Sequence, residues 1–209
     1  MDAPGEPFLM HVEDVFRRNQ GGVVVLTGRI ERGRVRRGDE VEIVGLGGNA
    51  VATVGGNAVA TVGDIEACRR YVGEARAGMN VGVSIRGMAG GAVERGQVLA
   101  APGSMSAHTS FAAAVSLLSE EHGGAGVRTG ERLHFHIRTA AVTGEVTLAR
   151  DLDVLRPLHA ADVTIRLERP VALEDGQSFA FRHLGRAAGS GVVTRLLDRA
   201  WSAEPPDPC

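Results

Sequence analysis

Between Pro7 and Gly33 the chain reads PFLMHVEDVFRRNQGGVVVLTGRIERG, two apolar-alternating runs around a polar, Gly-containing turn. A period of two puts successive side chains on opposite faces of an extended strand, so this stretch constrains the fold more than any other. Val23, Val24, Val25 and Ile30 are β-branched and favour extended backbone, while Asn19, Gln20, Gly21 and Gly22 supply the turn. The pattern returns at EVEIVG (Glu40 to Gly45), at NVGVSIRG (Asn80 to Gly87) and at Gln97 to Ala101, which Pro102-Gly103 closes. Short strands at regular spacing, with Gly and Pro turns and no long amphipathic helix, predict a closed barrel. Asp64 to Glu74 (DIEACRRYVGE) is mixed and reads as helical or turn-like.

PGSMSAH (Pro102 to His108) is small, polar and turn-rich, as a domain boundary is. A second set of strands follows at Ser110 to Leu118, Leu133 to Thr139, Thr143 to Leu148, Asp162 to Leu167, Gln177 to Arg182 and Gly189 to Leu197. The Ala/Leu content of the first also admits a helix. The expected fold is therefore all-β, two β-barrels in tandem over 7–103 and 107–198, with a Pro-rich disordered tail over 199–209. An identical duplication, GGNAVATV at Gly47 to Val54 and again at Gly55 to Val62, reads as a slipped-repeat expansion in a surface loop or as an added binding ribbon.

Composition narrows the function classes. The net charge is −2, so no global basic field draws in nucleic acid. All 23 basic residues are Arg. Aromatics make up 4%, which leaves most packing to Val, Leu, Ile and Ala. Cys68 and Cys209 form no framework or zinc spacing and suit a reducing, cytoplasmic setting. No apolar run approaches a membrane span of about 18 residues, and the first residues resemble no signal peptide. Without Lys there is no P-loop, so neither GTP binding nor its hydrolysis is expected, and no other cofactor is implied. Neither a G-x-S-x-G elbow nor H-E-x-x-H occurs.

His134 and His136, two apart on a strand, project to one face, but no carboxylate or thiolate stands at ligand spacing. A polar stripe is expected there, and no metal. His11, His108, His122, His159 and His183 are scattered singly. Glu13 and Asp14 are adjacent, so on a strand they face opposite sides, which fits a pocket rim better than a catalytic dyad.

Read in order, PFLM, VEDVF, TGR-x-ERG, GDEVEIVG, GEARAGMNVGV-x-x-RG and VERGQVLAAPGS resemble the second domain of bacterial elongation factor Tu. RTAAVTGEV, RPVALEDGQSFAFR and GRAAGSGVV resemble its third domain. The resemblance runs from about residue 7 to residue 197. It implies two β-barrels, a translation-factor-type barrel followed by one of the elongation factor Tu C-terminal type. It also implies a pocket for the aminoacyl end of tRNA. In this sequence Glu13, Asp14, Phe16 and Arg18 would meet the terminal adenosine and amino acid, with Glu66, Arg69 and Asn80 flanking them. Arg86 would lie near the acceptor-end phosphates, and Arg132 and Arg186 would face the tRNA body. Cys68 stands where the family usually has His, and His134 where it usually has Gln. The third-domain GGRHTPFF loop is reduced here to GGAGVRT (Gly123 to Thr129).

The family's GTPase domain has no counterpart among these residues, so the expectation is a GTPase-less homologue of the elongation factor. Its partner is the aminoacyl-tRNA acceptor end or a small molecule, not a membrane, and it is not expected to deliver tRNA by itself. The alternatives are a barrel pocket recruited for small-molecule chemistry, with Asp14, Glu66, Cys68, His134 and His136 as candidate catalytic groups, and a decaying or decoy paralogue.

Overall fold

The computed structural model describes residues 6–17, 23–45, 58–86 and 93–197. Arg18, the first GGNAVATV copy and the 199–209 tail lie outside these residues. The described chain forms two compact units, one ending at Ser106 and the other beginning at Ala107. Both are built from strands.

The first unit holds ten strands: β1 (Leu9–His11), β2 (Asp14–Arg17), β3 (Val24–Arg32), β4 (Arg34–Arg36), β5 (Glu40–Val44), β6 (Ala58–Ala67), β7 (Arg70–Val72), β8 (Glu74–Arg76), β9 (Asn80–Arg86) and β10 (Val98–Ala100). Six of them close a barrel in the order β1-β10-β5-β6-β9-β3, sealed by pairing between β1 and β3. β2 extends the wall beyond β3, β7 extends it beyond β6, and β4 with β8 makes a separate two-stranded ribbon. The barrel interior is aliphatic: Met10, Leu26, Ile30, Ile65, Ile85 and Leu99 are fully buried.

Two backbone irregularities shape this barrel. The run from Phe8 to Phe16, read as one alternating run in sequence, breaks into β1 and β2 at Val12-Glu13, where the adjacent polar Glu13 and Asp14 interrupt the alternation. There the Val12 N–H donates to the Gln97 carbonyl and the Glu13 N–H to that of Thr27, both at 2.9 Å. The chain thus leaves β10 for β3, and the His11 carbonyl passes over Gly28. In β6, Val62 pairs with Ile85 and Ile65 with Val83, so Gly63 and Asp64 together oppose Ser84. This is a β-bulge, closed by the serine: the Asp64 N–H donates to Ser84 Oγ at 2.6 Å, and the hydroxyl donates back to the Asp64 carbonyl at 3.1 Å. Ser84 is buried, so Ser84→Ala is expected to leave both backbone groups unpaired at a cost of about 1–2 kcal/mol, measurable as a lowered midpoint of urea unfolding.

The segment Asp64 to Glu74 is not helical. It ends β6, turns at Cys68-Arg69, and returns as β7 and β8. Pairing of Ile65 with both Val83 and Val72 holds it extended, and such cross-strand contacts override weak local preference. The second GGNAVATV copy contributes Ala58 to Val62 to β6, where Ala60 and Val62 are buried, so this part is barrel wall.

The second unit is a closed barrel of β11 (Ala107–Leu117), β12 (Arg132–Ile137), β13 (Ala140–Leu148), β14 (Ala160–Ala172), β15 (Ser178–His183) and β16 (Arg186–Leu196), in the order β11-β14-β13-β12-β15-β16. Ser110 to Leu118, which admitted a helix in sequence, is strand over nearly its whole length because β14 and β16 pair with it on both sides. This core is aromatic as well as aliphatic. Phe111 and Phe135 meet Phe179 edge to face at 5.7 and 5.8 Å, with Phe181 alongside. The aliphatic packing expected from composition therefore describes the first barrel better than the second.

Candidate functional site

The register of the first barrel assembles an open groove on its outer face. Asp14 pairs with Thr27, Thr27 with Gly82, Gly82 with Glu66 and Glu66 with Tyr71, one row across β2, β3, β9, β6 and β7. In the next row Phe16 pairs with Val25 and Val25 with Ser84. Residues directly opposite on neighbouring strands share a face, so both rows look outward. The floor is low at the centre because Gly82 carries no side chain. Around it lies a cleft of about 540 Å³ lined by Glu13, Phe16, Val25, Thr27, Gly28, Glu66, Cys68, Arg69, Asn80, Val81 and Gly82. A second hollow of about 220 Å³ shares Val25, Glu66 and Gly82 with it and adds Val23, Asp64, Tyr71, Ser84 and Arg86.

The groove mixes chemistry in a defined way. Phe16 is 56% and Tyr71 71% exposed, two aromatic faces available for stacking. Glu13 and Glu66 bring carboxylates, Arg69 a guanidinium and Asn80 an amide. The rim at Cys68-Arg69 is a two-residue hairpin between the paired Ala67 and Arg70. Both residues have left-handed backbone, φ 50° and 63°, as a type I′ turn demands. Neither is Gly, so each costs about 1 kcal/mol or more, and the turn holds a thiol and a guanidinium at the groove edge against that strain.

Glu13, Phe16, Glu66, Arg69 and Asn80 therefore share one cleft, and Arg86 lines the adjoining hollow. Asp14 is exposed opposite Thr27 but does not line either space. Of the groups named as candidate catalysts, Glu66 and the exposed Cys68 line the cleft together, while His134 and His136 belong to the second barrel. Those two histidines do share an exposed face of β12, alternating with buried Leu133, Phe135 and Ile137, and His134 Nδ1 lies 3.1 Å from Thr143 Oγ1. Among the described residues no three His, Cys, Asp or Glu side chains converge as metal ligands. Arg132 is exposed on β12 and paired with Glu168, and Arg186 is exposed at the start of β16.

Thr27, Gly82 and Tyr71 escaped the sequence reading. Two signals pointed to them. Gly82 is a glycine inside an alternating strand, a mark of close approach, and Tyr71 is the sole tyrosine of the chain.

Residues 24–100 match the family Elongation factor Tu domain 2, and residues 104–197 match Elongation factor Tu C-terminal domain. The two matches fall one on each barrel.

Proposed function

We propose that this chain, an elongation factor Tu-like protein of domains 2 and 3, binds the 3′-aminoacylated end of tRNA in the groove of its first barrel. The observation that carries the reading is the convergence of Glu13, Phe16, Glu66, Arg69 and Asn80 on one cleft. The α-ammonium of an aminoacyl ester is matched by a carboxylate such as Glu13, and the terminal base by an exposed aromatic face. Arg69 and Arg86 supply guanidiniums to the phosphates. On this reading the effect on the ligand is protection: an ester held against the floor at Val25, Thr27 and Gly82 is shielded from hydroxide. Within these 209 residues there is no P-loop, so binding runs without local nucleotide hydrolysis.

Spontaneous hydrolysis of aminoacyl-tRNA is the direct test. The protein in excess is expected to slow deacylation, and Phe16→Ala to return the rate to that of free aminoacyl-tRNA. Phe16 is more than half exposed, so the substitution is expected to leave the unfolding midpoint nearly unchanged. Deacylation at the free rate with native protein in large excess overturns the reading.

A further inference from the structure

The strand register leaves Phe16 and Tyr71 at opposite ends of one outer face. Phe16 stands on β2 and Tyr71 on β7, with β3, β9 and β6 between them. Neighbouring strands lie about 4.8 Å apart, so four steps set the two residues roughly 19 Å from each other. Stacked rings need centroids within about 7 Å, so no single base reaches both. A terminal base on Phe16 therefore leaves the Tyr71 face unused. Tyr71 has a hollow of its own, the space of about 220 Å³ beside the β6 bulge. Glu66 stands opposite it on β6. Arg86 reaches the same hollow from β9, on the other side of β6, and its Nε lies 3.4 Å from where a Cβ on Gly63 would be. Such a Cβ would also fall 2.5 Å from Ser84 Oγ, so the bare Gly63 keeps this corner open. Asp64, the second bulge residue, lines the hollow and pairs with Arg37 at 3.4 Å. An aromatic face, a guanidinium and two carboxylates border one space.

We propose that this hollow is a second nucleotide subsite, which takes an unpaired base upstream of the aminoacylated 3′ terminus. The inference rests on the reading of the groove as the site of that terminus, and extends it from one nucleotide to a short single strand. Every base has a π-face, so stacking on Tyr71 supplies affinity with little selection. The Arg86 fork meets a phosphate between the two nucleotides. Selection comes from Asp64 and Glu66, because ionised carboxylates only accept hydrogen bonds. Cytosine and adenine present an exocyclic amine to them, whereas uracil presents a carbonyl. The subsite therefore favours an amino-bearing base over uracil.

Two probes with a hydrolysis-resistant amide link test it by titration calorimetry: 3′-aminoacyl adenosine, and the same terminus on a trinucleotide with two upstream cytidines. Native protein is expected to bind the trinucleotide about tenfold more tightly, the effect of one stacked base. Tyr71→Ala is expected to erase that gain and leave binding of the adenosine probe unchanged. Tyr71→Phe is expected to keep the gain, because stacking needs the ring and not the hydroxyl. Tyr71 is exposed, so both variants are expected to unfold at the native midpoint. Phe16→Ala, by contrast, is expected to weaken both probes alike. Uridines in place of the cytidines are expected to cost roughly fivefold in affinity. Arg86→Gln is expected to lower the log–log salt slope of trinucleotide binding by roughly 0.7. If the adenosine probe binds but the trinucleotide gains nothing, or if Tyr71→Ala weakens both probes equally, the subsite is wrong and the groove reading stands. Loss of the gain in Tyr71→Phe overturns the stacking role, and equal binding of uridine and cytidine probes overturns the selection by Asp64 and Glu66. If native protein binds neither probe, both the subsite and the groove reading fall.

Discussion

A Gly28→Ala protein is expected to lose the fold of its first barrel. An ideal Cβ at Gly28 falls 1.9 Å from the His11 carbonyl oxygen and 3.1 Å from its carbon. Both are backbone atoms, so no rotamer change relieves the overlap. The close approach lies where the chain leaves β1 for β2, and Met10 and Val12 on either side are fully buried. Relief would require pulling that crossing away from β3, breaking the Glu13–Thr27 hydrogen bond and disturbing the core packing. The expected cost is on the order of 3 kcal/mol or more, a large share of the stability of a domain this size. Gly38→Ala is the control. Gly38 has φ +92° but nothing within 4 Å of its Cβ position, so it carries only the left-handed backbone penalty, about 1 kcal/mol. Urea unfolding followed by far-UV circular dichroism separates the two. Equal midpoints for both variants would show that the β1–β2 crossing is not held by the close approach to Gly28.

Gly82→Val is expected to do the reverse, removing the groove while leaving the barrel intact. A Cβ at Gly82 would meet Val25 Cγ1 at 3.5 Å, Thr27 Cγ2 at 3.7 Å and Glu66 Cβ at 4.0 Å, all ordinary van der Waals distances. Its φ is not in the left-handed region, and a β-branched residue suits the middle of a strand. Stability is expected to hold or to rise by up to about 1 kcal/mol, since glycine inside a strand is itself unfavourable. The added methyls occupy the floor where any ligand must lie. Protection of aminoacyl-tRNA is expected to weaken at least tenfold, equivalent to about 1.4 kcal/mol. Undiminished protection by a folded Gly82→Val protein would place the bound ester outside this groove. Phe16→Ala takes away a wall and leaves the floor, so the two variants together distinguish a missing stacking face from a filled space.

The alternation of the strands was readable directly because each has one face against a barrel interior. Val81, Val83 and Ile85, for example, are buried in β9. Reading failed where partners far along the chain decide. Asp64 to Glu74 has too few apolar residues for a clear local period, and its extended form comes from β9 and from the β6–β7 hairpin. The split of Phe8 to Phe16 lies where the polar pair Glu13-Asp14 interrupts the alternation, a mark the sequence carries, while the close approach to Gly28 that fixes the crossing was hidden. For the site, the resemblance named Glu13, Phe16, Glu66, Arg69 and Asn80 one by one. Nothing in their spacing said that they share a cleft, and nothing local marked the left-handed turn that sets Cys68 and Arg69 on its rim.

The sequence by itself determined the strand class, the division near residues 102–108 and the absence of a P-loop from these residues, because periodicity, turn chemistry and motif spacing are local properties of the chain. Tertiary structure decided what the residues do together. Strand pairing brought β2, β3, β9, β6 and β7 into one register, and that register set Phe16 over Val25 and Tyr71 beside Glu66. In the separate ribbon, the pairing of β4 with β8 set Arg34 against Arg76. Which residues face each other across strands depends on hydrogen-bonded pairing over tens of residues of separation, and a one-residue shift in that pairing would have turned each of these side chains to the other face.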